Sequence, residues 1–210
     1  MFPKFIREYI SNQFSKPSGI FGRYIEKGMS KRTFIDAKWT ISLLNIQPTS
    51  RMFEIGFGGG VATQLASQQA SQGFVAGIDH SDTMVQIASK RNAEAISAGR
   101  MELSQGDAGN VPYPGGSFDI VYSLHSIYFW NDPVECMKGF YRALKPGGLL
   151  AITIQPKNRW REEQIRTPGM TFYVGDQIVE MFESAGYQNI RMEMYSDNEG
   201  AKLQCILGNK

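Results

Sequence analysis

The chain has 210 residues, a net charge of +2, two cysteines and two histidines. This length suits one α/β domain with a sizeable core. So few cysteines and histidines exclude a disulfide framework and a Cys/His zinc cluster, so we expect no metal and a reducing, cytoplasmic setting. The apolar runs are too short to span a membrane, and no basic stripe beyond the first 48 residues indicates a nucleic-acid partner.

Residues 1–48 carry the basic excess, with eight Lys or Arg against three Asp or Glu. Three helical segments are predicted there, at about 2–14, 21–29 and 34–44, and the first places its apolar side chains on one face. Three roles are open: completing the core, covering an acceptor pocket as a lid, or docking weakly on an anionic membrane surface. We favour core plus lid, and we divide the chain into a helical cap, 1–48, and a domain, 49–210.

A glycine-rich loop follows the first predicted strand, which covers 51–55. The loop reads Glu54-Ile55-Gly56-Phe57-Gly58-Gly59-Gly60, and a helix is predicted over 61–72. Glycine allows such a backbone turn to lie against a ligand at the end of a strand. A dinucleotide-binding loop, G-x-G-x-x-G, would need glycine where this chain has Val61, which disfavours a nicotinamide-dependent enzyme. A tight turn without a ligand is the other interpretation.

Two further predicted strands, over 74–78 and 101–104, each lead to an aspartate. Asp79 ends the first at about the separation from the loop at which doubly wound folds place a ribose-binding carboxylate. Ser81 is then the predicted cap of a helix whose inward face includes Met84. Asp107 follows the other strand within Gly106-Asp107-Ala108, where it either contacts a ligand or caps its own turn.

The second half of the chain continues the alternation of strands and helices. A strand over 118–123 leads to Leu124-His125-Ser126-Ile127-Tyr128-Phe129-Trp130, and a helix over 132–144 follows. Leu144-Lys145-Pro146-Gly147-Gly148 then precedes a strand over 149–154. A long loop over 155–171 is a second candidate lid segment. A helix over 176–185 and an antiparallel hairpin of strands 190–195 and 201–207 complete the pattern.

The glycine loop, written D/E-x-G-x-G-x-G, together with F-D-I-V-Y-S and L-K-P-G-G, resembles class I S-adenosylmethionine-dependent methyltransferases. Over about residues 50–195 the chain is similar to their small-molecule branch, the methyltransferase type 11 group that includes quinone C-methylating enzymes. The resemblance implies a Rossmann-like α/β fold, with helices on both faces of a seven-stranded sheet of order 3-2-1-4-5-7-6 in which only strand 7 is antiparallel. Phe57-Gly58-Gly59 departs from this family, whose members often have a small or hydroxyl residue in that segment.

The resemblance also implies S-adenosylmethionine as the cofactor and a set of residues that bind it. Glu54 would serve the ammonium group, Asp79 the ribose hydroxyls and Asp107 the adenine amino group, while Met84 would pack near the adenine. The full predicted set is Glu54, Gly56, Phe57, Gly58, Gly60, Asp79, His80, Met84, Asp107, Ala108 and Ser123.

Two residues after the fourth strand are candidates for chemistry on the acceptor. His125 is the candidate general base, because it lies beside where the activated methyl group should point, and packing on the next segment is its alternative. Tyr128 is a candidate for the acceptor site, with the core as its alternative. The chain lacks N-P-P-Y and any Pro-Pro dipeptide, which disfavours exocyclic amines of nucleic-acid bases. We expect a small, partly apolar metabolite as the acceptor; the alternative is a catalytically silent cofactor-binding module that acts through a protein partner.

Overall fold

The computed structural model describes residues 34–157, 169–197 and 200–210. The two helices predicted before residue 34 lie outside these ranges, and so does most of the predicted lid loop over 155–171. The lid and the membrane-docking role of the cap therefore stay predictions, as does the boundary at residue 48.

Seven strands form one sheet: β1 (Arg51–Ile55), β2 (Phe74–Asp79), β3 (Met101–Gln105), β4 (Phe118–Leu124), β5 (Leu144–Ile154), β6 (Gln188–Asp197) and β7 (Gly200–Asn209). Their order across the sheet is β3-β2-β1-β4-β5-β7-β6. The first five strands pair in parallel, and β7 is antiparallel to both of its neighbours. The sequence-based prediction of order and direction is confirmed.

Helices connect the strands: α1 (34–42), α2 (Val61–Gln69), α3 (Asp82–Arg91), α4 (Ala93–Ser97), α5 (Pro133–Ala143) and α6 (Gly175–Ser184), with a short 3-10 turn at Ile127–Phe129. Capping sets their starts. The Met84 N–H donates to the Ser81 hydroxyl at the start of α3, and the Glu135 N–H donates to the Asp132 carboxylate at the start of α5. Within the described ranges, no helix is long and apolar enough to cross a membrane.

Two element boundaries differ from the prediction by three residues or more, and the others differ by two at most. Helix α2 ends at Gln69 instead of residue 72, because the Gln72 N–H donates to the Pro48 carbonyl and so holds the chain in a turn. Strand β5 begins at Leu144 instead of residue 149, because Leu144 already pairs with Phe118 and a register shift absorbs the glycines that follow. The L-K-P-G-G segment is thus an irregular part of the strand.

Apolar packing covers both faces of the sheet. On one face α5 and α6 contribute Phe140 and Phe182, which are fully buried. On the other face α2 contributes Ala66, and α1 contributes Ala37 and Ile41. The described part of the cap, helix α1, therefore packs into the core of the domain.

The carboxyl ends of β1, β2 and β3 lie side by side at one edge of the sheet. Ile55 pairs with Ile78, and Asp79 pairs with Gln105, so the chain leaves all three strands at the same level. In open parallel sheets this edge is where ligands bind. The predicted site residues that follow these strands are accordingly brought to one edge.

Candidate active site

The glycine loop after β1 has a backbone conformation that residues with a side chain rarely adopt. Gly56, Gly58 and Gly60 have φ values of 73°, 52° and 75°, all in the left-handed region. A Cβ on Gly56 would overlap the side chain of Ser126, and one on Gly60 would lie 2.7 Å from the Cβ of Ala88. The loop is therefore clamped between the segment after β4 and helix α3, which a turn without further contacts would not require.

Asp79 ties the end of β2 to this loop. Its Oδ2 accepts a hydrogen bond from the Gly58 N–H at 2.8 Å, and its Oδ1 accepts one from the Ser81 N–H at 2.9 Å. The side chain is buried, and loss of solvation raises the pKa of the carboxyl above its ordinary value. Among the described residues each oxygen accepts one hydrogen bond, and a carboxylate oxygen has two lone pairs, so the carboxylate could also accept ligand hydroxyls.

Glu54 lies behind the loop. Its Oε2 accepts a hydrogen bond from the Tyr122 hydroxyl at 2.9 Å, and the backbone N–H of Thr63, in the first turn of α2, also donates to the carboxyl. The residue is 1% exposed, and burial raises the pKa of its carboxyl from 4.5 to about 8. Tyr122 was not identified from the sequence, although it stands within the F-D-I-V-Y-S motif.

The departure at Phe57 has a compensating partner. Phe57 is buried. Its Cδ1 atom lies 2.7 Å from the position that a Cβ on Gly77 would occupy, so the ring and such a Cβ could not both fit. Gly77 is in the middle of β2, where a glycine usually weakens a strand unless something approaches it closely. The aromatic ring of the loop thus packs into a gap that Gly77 leaves in the sheet.

The other predicted cofactor residues around β2 and β3 have different environments. Asp107 is exposed, and its Oδ1 accepts a hydrogen bond from the Gly109 N–H at 2.8 Å, so the turn-capping interpretation describes its present contact. Met84 is buried on α3, and Ala108 is partly buried. The His80 side chain is 40% exposed, with Nδ1 3.8 Å from Oδ1 of Asp79.

Ser123 and Ser126 connect β4 to the glycine loop. Their hydroxyl oxygens lie 2.6 Å apart, and the Ser126 hydroxyl donates to the Ile55 carbonyl at 2.9 Å. Ser126 is the residue that packs against Gly56. Sequence reasoning named Ser123 but missed Ser126, whose role depends on a contact between two loops.

His125 contacts a residue of helix α1. Its Nε2 lies 3.0 Å from Oδ2 of Asp36, and its side chain is 29% exposed. The backbone of His125 has φ 55°, which is uncommon for a residue other than glycine, and its N–H donates to the Thr153 carbonyl. Asp36 was not predicted as a site residue, because nothing in the local sequence pairs it with a histidine 89 positions away.

Tyr128 lies in the core next to this site. Its hydroxyl accepts a hydrogen bond from the Gln155 N–H at 2.7 Å and donates to the Gln155 carbonyl at 3.1 Å, and its ring lies 5.4 Å from that of Phe172. Burial raises the pKa of the phenol. These contacts favour the core interpretation of Tyr128 over a role in proton transfer.

Asn92 is a further residue that sequence reasoning missed. Its buried side-chain amide donates to the carbonyls of Gly60 and Ala88 at 3.1 and 2.9 Å, which fastens the end of the glycine loop to α3. Among the described residues, no group of three or more His, Cys, Asp or Glu side chains could hold a metal ion.

Comparison with known proteins identifies the family. A family model described as a methyltransferase domain matches residues 53–152. The chain is 33% identical over 156 residues to the uncharacterized methyltransferase YdaC of Bacillus subtilis, a match that covers 74% of this chain and 81% of that protein. The chain belongs to the class I S-adenosylmethionine-dependent methyltransferases.

Two further similarities concern the branch and the fold of this methyltransferase. It is 30% identical over 122 residues to the ubiquinone/menaquinone biosynthesis C-methyltransferase UbiE of Geotalea daltonii, covering 56% of this chain and 52% of that protein. A SAM-dependent methyltransferase from Aquifex aeolicus shares the fold, with a TM-score of 0.69 at 17% identity over 100% of this chain and 99% of that chain.

Proposed function

We propose that this methyltransferase uses S-adenosylmethionine to methylate a small, partly apolar metabolite by in-line displacement. The observation that supports this most is the hydrogen bond between the Gly58 N–H and Asp79, which joins the glycine loop to an acid at the end of the neighbouring strand. A loop and a carboxylate held together at this edge suit a nucleoside with two ribose hydroxyls.

The residues at this edge fit the cofactor chemically. Asp79 is buried with a raised pKa, so hydroxyl donors of a ligand would replace solvation that the carboxyl has lost. Met84 offers an apolar contact for the adenine, and Asp107, which follows β3, is exposed. When bound, S-adenosylmethionine supplies a methyl group on a positively charged sulfur. The protein's own task is to align the acceptor and exclude water, which contributes on the order of 7 to 11 kcal/mol at best.

In this proposal Glu54 supports the glycine loop from behind, and its negative charge attracts the ammonium group of the cofactor. Its carboxyl holds the first turn of α2 and Tyr122, and no described hydrogen bond leads from it to the front of the loop. The ammonium group of the cofactor would favour the ionised form of this buried acid, so the predicted role at the ammonium is proposed as an electrostatic one.

The acceptor class rests on the relatives and on the apolar segment that follows His125 in the chain. The matched relative from Geotalea daltonii is named for C-methylation in ubiquinone and menaquinone biosynthesis. After His125 this segment carries Ile127, Tyr128 and Trp130, all of which are buried. We therefore propose a reduced, quinone-like or phenolic ring as the first acceptor to examine.

Methyl transfer from labelled S-adenosylmethionine tests this function. The acceptors are demethylmenaquinol, simple hydroquinones and phenols, and a metabolite extract from bacterial cells, each with the wild-type protein and with Asp79→Ala. We expect label in at least one apolar small molecule with the wild type and strongly reduced label with the variant. Cofactor binding without transfer to any of these acceptors would contradict the proposed acceptor class.

A further inference from the structure

The Asp36–His125 contact joins the cap segment to the end of strand β4. Asp36 lies on α1, and its carboxylate Oδ2 is 3.0 Å from Nε2 of His125. The Asp36 side chain is 14% exposed and that of His125 is 29% exposed, so the pair is shielded but remains open on the histidine side. Such a pair is stronger than one on an open surface, because water competes less with it.

A second contact fixes the same helix one turn further along. Thr40, four residues after Asp36, lies with its Oγ1 2.9 Å from Oγ1 of Thr153, and both threonines are fully buried. The Thr153 carbonyl also accepts a hydrogen bond from the backbone N–H of His125 at 2.9 Å. Residues four apart share one face of a helix. Helix α1 and the ends of β4 and β5 therefore hold His125 together, through its side chain and its backbone.

These contacts hold the backbone of His125 in an unfavourable conformation. A φ of 55° lies in the left-handed region that a residue with a Cβ rarely adopts, and such strain persists only where surrounding contacts impose it. The imidazole contacts Asp36 directly after β4, the strand that leads to the carboxyl edge of the sheet.

The contact also decides which ring nitrogen carries a proton. An ionised carboxylate can only accept, so Nε2 donates to Asp36 and the neutral ring has its lone pair on Nδ1. Among the residues that the structure describes, none is a hydrogen-bond partner of Nδ1. Nδ1 is thus the atom that can take a proton from another molecule.

We propose that Asp36 is a positioning residue that orients His125 as the general base of methyl transfer, so the acceptor is one that must lose a proton to become nucleophilic. Phenols, hydroquinones and carbon acids belong to this class, whereas thioethers and tertiary amines do not. This inference rests on the function proposed above and adds the acceptor's acidity and a catalytic contribution from the cap.

The proton and electron balance of the step is simple. The acceptor's X–H bond breaks, with the proton going to Nδ1 of His125, and its electron pair forms the new bond to the methyl carbon. The old C–S bond breaks, and its pair stays on sulfur, which becomes a neutral thioether. The imidazolium that results is next to Asp36, whose negative charge stabilises it until the proton leaves to water.

A readout without any acceptor tests the contact itself. Nitrogen-15 spectra of the two imidazoles, recorded for the wild type, Asp36→Asn and Asp36→Ala, report which nitrogen is bonded, and His80 is the internal reference. We expect a slowly exchanging Nε2–H of His125 in the wild type that is lost in Asp36→Ala, with His80 unchanged. Identical His125 spectra in all three proteins would overturn the proposal.

Kinetics with an accepted phenolic or hydroquinone substrate separates positioning from a structural role. Asp36→Asn is expected to lower kcat about tenfold or more with little change in KM, and Asp36→Glu to recover part of the loss. In a His125→Gln background the Asp36 substitution should add almost nothing, because the two residues act as one unit. Asp176→Asn, which changes an exposed acid on α6, is the matched control.

Failure of the inference and failure of the proposed function give different results. If Asp36→Asn turns over at the wild-type rate, or if its loss adds in full to that of His125→Gln, Asp36 does not position a base while the methyltransferase function stands. If the wild type binds no S-adenosylmethionine, the function itself fails, and the imidazole spectra then report the contact alone.

Discussion

The Tyr122 hydroxyl donates a 2.9 Å hydrogen bond to Oε2 of Glu54, and both side chains are buried in the sheet, 0% and 1% exposed. Desolvation raises the pKa of both groups, that of Glu54 to about 8. Glu54 is therefore protonated in the folded protein at pH 7, while the same carboxyl is ionised in the unfolded chain.

This difference makes stability depend on pH. The folded state binds the Glu54 proton up to about pH 8, and the unfolded state releases it above about 4.5, so the free energy of unfolding falls as pH rises between these values. We expect a loss of a few kcal/mol, since each unit of pKa is worth about 1.4 kcal/mol. Urea unfolding at pH 5 and pH 8.5 measures it.

The matched variants for this experiment are Glu54→Gln and Glu135→Gln. Glu54→Gln removes the titrating group and should flatten most of the decline, with a remainder from Asp79, whose pKa is also raised. Glu135 is exposed and should leave the decline unchanged. An equal decline in the wild type and Glu54→Gln would show that Glu54 is not the group responsible.

The glycines of the loop differ in what surrounds them, which gives a second prediction. Gly58→Ala meets nothing within 4 Å and pays only for its left-handed backbone, about 1 kcal/mol. Gly56→Ala adds an overlap with Ser126 and should cost roughly 3 kcal/mol or more. Denaturant unfolding compares the two variants, and Ser126→Gly should relieve part of the Gly56→Ala loss. Equal losses in both variants would contradict the close packing of Gly56 on Ser126.

Phe57 and Gly77 give a third prediction. Gly77→Ala places a methyl group 2.7 Å from Phe57 and 2.9 Å from Leu103, which should destabilise the protein by about 1 to 3 kcal/mol through overpacking. Phe57→Leu alone should lose some apolar burial, but combined with Gly77→Ala it should cost less than the sum of both. A double-mutant cycle from denaturant unfolding measures this coupling, and strict additivity would show that the two residues do not pack together.

The sequence predicted the sheet because the information for it is local. Apolar strands, amphipathic helices and the capping residue Ser81 are recognised from a few neighbouring residues, and the resemblance supplied the order of the strands. The boundary at Leu144 was missed because pairing with Phe118 is a long-range contact that overrides the turn signal of the glycines.

In the candidate site, too, residues with a local sequence signal were predicted and residues that act through long-range contacts were missed. Gly58 and Asp79 were predicted from a motif and a spacing, and the structure joins them by one hydrogen bond. Asp36, Ser126 and Gly77 act through contacts with residues far away in the chain, and their local sequence carries no signal of it. Such partners become visible only when the packing of loops and helices is known.

Asp79 is the most informative single residue for cofactor binding. Asp79→Ala should weaken the binding of S-adenosylhomocysteine by roughly 1 to 3 kcal/mol, because a charged hydrogen-bond acceptor is lost. It should also lower the melting temperature, since the N–H groups of Gly58 and Ser81 lose their acceptor. Asp79→Asn keeps one acceptor oxygen and should lose less stability. Isothermal titration calorimetry measures the affinity for S-adenosylhomocysteine separately from stability, and Asp82→Asn is the control. Unchanged affinity in Asp79→Ala would contradict the ribose assignment.

We propose that the carboxyl ends of β1, β2 and β3 form a slot for an adenosine bearing a sulfur substituent. Thermal unfolding of the wild type with S-adenosylhomocysteine and, separately, with NAD tests it most directly. At a hundred times its dissociation constant, S-adenosylhomocysteine should stabilise the folded state by about 2.7 kcal/mol, and NAD should leave the melting temperature unchanged. No stabilisation by S-adenosylhomocysteine, or an equal one by NAD, would contradict the account.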